Sequence, residues 1–128
     1  PEDDRGNIIS MLKLLDNVSV IVFQYTPLFI SENPPVLRDG NIAKTLVSGK
    51  NSEEKYFIVK EKTRYITINP RPFCLSHRLD ELRRNGCKNF RIDFSFCQSE
   101  FMIRQLANIQ EGFFLENSHE GNYLRGLL

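Results

Sequence analysis

The stretch Val18-Ser19-Val20-Ile21-Val22-Phe23 constrains the fold more than any other part of the chain. It is apolar, mostly β-branched and shows little alternation, which predicts a strand covered on both faces rather than one with a wet side. Just before it, Ile8, Met11, Leu12 and Leu15 fall at the one-face spacing of a helix, with Asp3 and Asp4 suited to its N-terminus and Asp16-Asn17 to end it. A helix feeding a doubly covered strand is one unit of an α/β sheet. Polar atoms return at the strand's carboxyl end, in Gln24, Tyr25 and Thr26, before Pro27.

The middle of the chain has another character. Residues 31–40 read as loop, with Pro34-Pro35 and Asp39-Gly40 as turn signals. β-rich stretches follow at 45–47, 56–59 and 64–68, the first two separated by Gly49-Lys50-Asn51-Ser52. In the third, Tyr65 and Thr67 alternate with Ile66 and Ile68, so residues 36–69 are expected to form an inserted antiparallel meander, half exposed. Asn69-Pro70-Arg71-Pro72 ends it, because proline cannot donate to a ladder. Ser76 is placed to cap a helix whose stripe is Leu79 and Leu82, with Arg83-Arg84 at the negative end and Gly86 in the left-handed C′ position. Asn89 to Phe96 reads as a strand with Ile92, Phe94 and Phe96 on one face and Arg91, Asp93 and Ser95 on the other. Ser99 then caps a helix with Phe101, Ile103, Leu106 and Ile109 inward and Gly112 as its stop; the tail over 116–126 reads as loop.

With 128 residues, 41% apolar and 26% charged, the chain has the composition of one globular domain, or of a fragment of a larger one. No leader pattern opens it and no apolar run approaches the ~20 residues of a membrane span, so no membrane association and a cytoplasmic location are expected. The net charge of +1 hides an uneven distribution: residues 60–91 hold nine Lys or Arg against three acids, and the rest of the chain is net acidic. Such a centre can attract phosphates or acidic partners, or be a solvated face. Cys74, Cys87 and Cys97 are odd in number and lack paired short spacing, which predicts reduced thiols rather than a disulfide framework.

No complete catalytic signature stands out. Cys74 and His77 are the one close pair of metal-ligand type, whereas a structural zinc site needs two, so no metal is expected. Cys74, near His77 and Arg71, is the best-placed thiol for nucleophilic attack but has no evident orienting partner. Neither a phosphate-cradling glycine pattern nor a Gly-x-Ser-x-Gly elbow occurs. Arg91 and Asp93 share one face of a segment otherwise apolar enough to be buried, which fits either a ligand contact or a structural ion pair. Tyr56, Lys60, Lys62, Arg64 and Tyr65 interleave aromatic and basic side chains, as single-stranded nucleic acid binders do and as plain hairpins do.

Five pieces in order resemble the later part of the main domain of the bacterial collagenase-like peptidase family, peptidase family U-thirty-two, whose fold is related to the TIM barrel. They are Gln24-Tyr25-Thr26-Pro27-Leu28, Leu37-Arg38-Asp39-Gly40, Ile68-Asn69-Pro70-Arg71-Pro72-Phe73, Phe90-Arg91-Ile92-Asp93-Phe94 after Gly86, and Glu120-Gly121-Asn122-Tyr123-Leu124-Arg125-Gly126. The resemblance implies an α/β, partial or divergent TIM-barrel-like unit completed by the remainder of a larger chain. It also implies a substrate pocket serving protein hydrolysis or the hydroxylation of RNA, lined by Tyr25, Thr26, Asn69, Arg91, Asp93 and Arg125, with the two arginines binding anionic groups. Some relatives hold an iron–sulfur cluster through cysteines, but Thr26 and a Cys-free stretch over 63–67 stand in those places, so no cofactor is expected. The alternative is a non-enzymatic interaction module whose basic middle section binds an acidic protein or nucleic acid.

Overall fold

The computed structural model describes residues 4–33, 45–47, 55–97 and 99–125. The turn signals at Pro34-Pro35, Asp39-Gly40 and Gly49–Ser52, the segment Leu37–Gly40, the side chain of Tyr56 and Gly126 lie outside the described residues. The chain divides into two compact units, one made of Pro1–Gln24 with Pro72–Leu128 and the other of Tyr25–Arg71. Helices, a mixed sheet and an antiparallel sheet make it an α/β mixture, and no sheet closes into a barrel among the described residues.

The first unit is built on a three-stranded sheet with β1 (Ser19–Gln24) in the centre. β7 (Asn89–Ile92) lies parallel to β1 on one side, and the two-residue β6 (Phe73–Cys74) lies antiparallel on the other. Central placement explains the unbroken apolar run: Val20, Val22 and Phe23 are buried, the last two completely. The sequence carries no signal for β6, because Pro70 and Pro72 precede it and a two-residue pairing leaves no periodicity to read.

Helix α1 (Arg5–Leu14) is capped by Asp4, whose side chain accepts from the Asn7 amide at 2.9 Å. Of its expected stripe only Ile8 is buried, while Met11 and Leu15 are exposed. Ser76 is not an N-cap. The chain enters α2 (Leu79–Arg84) through a 3-10 turn (Ser76–Arg78), and the Ser76 hydroxyl donates to the Phe113 carbonyl while taking the Cys74 thiol at 3.2 Å. The far end of α2 follows the sequence reading. Gly86 has φ +98°, the Gly86 amide bonds Arg83 O at 3.0 Å, and the Cys87 amide bonds Leu82 O at 2.9 Å, which together make a Schellman closure.

Strand β7 stops at Ile92, four residues short of the expected end. Asp93 takes the Ser95 amide on its carboxylate at 2.8 Å, and the Cys97 amide turns back to Phe94 O at 3.0 Å, so a side-chain-closed turn competes with the ladder and wins. Helix α3 (Ser99–Gln110) is rotated from the expected orientation. Phe101, Gln105 and Ile109, four apart, face inward, and Ile103 (74% exposed) and Leu106 face out. The tail over 116–125 is made of turns but is no free loop: Ser118 and Tyr123 are buried, as is Leu115 just before it, and His119 forms a parallel bridge to Phe73.

The second unit is an antiparallel sheet in the order β2-β5-β4-β3, formed by Pro27–Ser31, Arg64–Ile68, Lys55–Glu61 and Thr45–Val47. It begins earlier than the sequence placed the meander, because Pro27–Ser31 adds an edge strand beside β5. Ile66, Thr67 and Ile68 are all buried, so β5 is covered on both faces despite its alternating pattern.

Candidate functional site

Of the polar residues singled out by sequence, Arg91 and Asp93 lie at the carboxyl end of β7, which runs parallel to β1. The register sets Val20 opposite Phe90 and Ile21 opposite Arg91, and the Asp93 amide donates to Phe23 O at 2.9 Å. Phe23 packs beneath this end of the sheet against Phe94 and Phe101, with ring centroids 5.4 Å and 6.3 Å away. Arg91 is not buried as its apolar neighbours suggested: its side chain is 65% exposed and only 3.9 Å from the Asp93 carboxylate, so the pair is a loose surface contact that leaves the guanidinium donors open to solvent. Hydrogen bonding from Ser95 holds the Asp93 carboxyl below its ordinary range, against the effect of burial and with smaller help from Arg91.

The other sequence-chosen residues lie elsewhere. Thr26 and Asn69 meet within the second unit, where the Asn69 amide donates to Thr26 O at 3.1 Å and the Asn69 side chain accepts the Arg71 amide at 2.9 Å. Tyr25 adjoins them in sequence and is half-buried. Arg125 is exposed at the end of the tail, its amide bonded to Asn122 O at 3.0 Å.

The thiol chemistry considered for Cys74 has no setting. Its side chain is completely buried, burial pushes its pKa up more than the Ser76 bonds lower it, and His77 turns to Glu120 instead. Cys87 and Cys97 are likewise raised by burial, and all three are free thiols. Among the described residues no group of three or more His, Cys, Asp or Glu is placed to hold a metal ion, and no helix is long and apolar enough to cross a membrane.

Sequence reasoning missed a charged cluster behind the 3-10 turn. Glu120 accepts from His77 Nε2 and from Arg78 Nε, the latter at 2.9 Å; Arg78 also approaches Glu81 at 4.0 Å and lies 5.7 Å above the Tyr123 ring; Glu81 accepts from Arg5. The His77 contact with Glu120 comes from 43 residues away, beyond the reach of local pattern. Beside it a cleft of about 80 Å³ is lined by His77, Asp80, Arg83, Gln110 and Glu111 among others. Its charges are mixed, and Ser76, which also lines it, is completely buried with its hydroxyl donating to the Phe113 carbonyl.

No family model, no curated protein and no solved structure matches this chain.

Proposed function

We propose that this chain supplies one wall of a substrate pocket in a TIM-barrel-related molecule of the collagenase-like peptidase family, and that Arg91 is its anion-binding residue. The carrying observation is the parallel pairing of β1 and β7, which sets the carboxyl ends of two family-like segments side by side with an exposed guanidinium at their edge. Ligands of α/β sheets and barrels bind at that end of the strands, where the chain leaves the packed core and side chains are free to vary. Arg91 fits a carboxylate or phosphate, because its planar fork pairs with either in two parallel hydrogen bonds and Asp93 occupies it only loosely. In a peptidase the anion is an acidic side chain or the carboxyl terminus of a peptide; in RNA hydroxylation it is a backbone phosphate. Cys74 and Cys87 are buried, and this reading assigns Arg91 to binding and names no reacting group.

The test is calorimetric binding of an acidic collagen-like peptide, with a short RNA as competitor, to the wild type and to Arg91→Ala. Loss of a charge-assisted bidentate contact weakens binding by about tenfold or more at unchanged melting temperature. Equal affinity in a folded variant removes Arg91 from the site.

A second reading is favoured by the exposure of Arg83, Arg84, Lys88 and Arg91, four basic residues within nine positions of the chain, of which Arg83 also pairs with Asp80 at 3.1 Å. An interaction module using those residues binds polyanions with an affinity that falls steeply as salt rises, whereas pocket binding of one carboxylate changes little.

A further inference from the structure

Residues 115–125 contain no helix or strand, yet three backbone hydrogen bonds fix them to the rest of their unit. The Cys74 amide donates to His119 O, the His119 amide to Pro72 O and the Arg5 amide to Tyr123 O, each at 2.9 Å. Docking them also strands polar atoms: His77 Nδ1, His119 Nε2 and the Tyr123 hydroxyl are buried with no hydrogen-bond partner. Each such atom opposes the docked state, because water would satisfy it on release. Something must outweigh that cost, and the segment offers one charged group in the right place. Glu120 receives the His77 ring and the Arg78 guanidinium together, with both its own side chain and that of His77 only 22% exposed. Its other charged residues, Glu116 and Arg125, are exposed and show no such pairing.

We propose that Glu120 is an acid-released clasp, which when ionised holds residues 115–125 against the 3-10 turn and when protonated lets them go. Burial alone would push the Glu120 carboxyl up, but the hydrogen bonds from Arg78 and His77 outweigh it and keep the group below its ordinary range. A carboxyl depressed by folding contributes stability above its unfolded value and loses it as pH falls through the folded one, so docking weakens on acidification. Within the segment, His119 Nδ1 accepts the Gly121 amide at 3.1 Å. The other charges around the clasp are Arg5 and Glu81, which pair with one another, and Arg78, shared between Glu81 and Glu120; the His77 ring donates to Glu120 from the 3-10 turn. The clasp does not depend on the pocket reading, although Arg125 would move with the segment if that reading holds.

Amide hydrogen exchange tests it, followed as protection factors from neutral pH into the acid range. The Arg5, Cys74 and His119 amides should lose protection together by about tenfold or more, the scale of one charge-assisted hydrogen bond. The Leu75 and Asp93 amides, bonded to Val22 O at 2.8 Å and Phe23 O at 2.9 Å, should keep theirs. Glu120→Gln should show the same three amides unprotected at neutral pH, with a flattened acid profile. Loss of all five amides at one pH, or an unaltered profile in Glu120→Gln, overturns the proposal. Should that variant not fold, His77→Ala, which leaves no side-chain donor at this position, should move the transition to higher pH by removing one of the groups that depress Glu120; an unmoved transition overturns it equally.

Discussion

At the scale of single residues, the polar atoms that found no partner are as informative as those that did. Thr67 lies in the middle of β5 at 1% exposure, and its hydroxyl is buried without a hydrogen bond. An apolar methyl there removes a desolvated group at almost unchanged volume. Thr67→Val is therefore expected to be neutral or to stabilise by up to about 1 kcal/mol, against the usual direction of core substitutions, as urea unfolding would show. Arg91 shows the opposite lesson. Its apolar neighbours suggested burial, but among the described residues β7 pairs with β1 alone, and Asn89 and Arg91 share its exposed face. The residue types at the candidate site were readable in the sequence; the exposure of Arg91 was not, because it depends on which strands lie beside it.

Among the elements, those closed by local chemistry were the most legible. The α2 terminus follows from Gly86, since only a residue without a Cβ adopts φ +98° at no cost and lets the Cys87 and Gly86 amides return to the last turn. Gly86→Ala should cost about 1 kcal/mol by thermal unfolding, although nothing lies within 4 Å of where the methyl would sit, because the cost is backbone strain and not a clash. Buried β1 was equally plain, as its apolar run needs no tertiary information. Ser76 and Ile103 misled for one shared reason. A serine before a helix and an isoleucine within one are local cues, while the Phe113 carbonyl that takes the Ser76 hydroxyl and the core that selects Phe101 over Ile103 are supplied by distant chain. The same holds for the tail, whose burial rests on bonds to Arg5, Pro72, Cys74 and Arg78.

For the molecule as a whole, the arrangement of β1 and β6 sets what the chain can tolerate. Gln24 and Phe73 are direct antiparallel partners, and residues 25–71 run between them as a unit of their own. A short Asn-Gly-type turn is long enough to join two antiparallel neighbours. Replacing residues 25–71 by such a turn should leave the first unit folded, with protection of the Leu75 and Asp93 amides retained in hydrogen exchange; a chain that loses both shows that the two units depend on one another. The pairing also matters beyond stability. Because the segment leaves and re-enters through one pair of adjacent residues, changes in its length or content need not propagate into the sheet that carries Arg91 and Asp93. The junction is thus a socket: what is plugged in at Gln24 and Phe73 could be exchanged over evolutionary time while the edge of β1 and β7 kept its own chemistry.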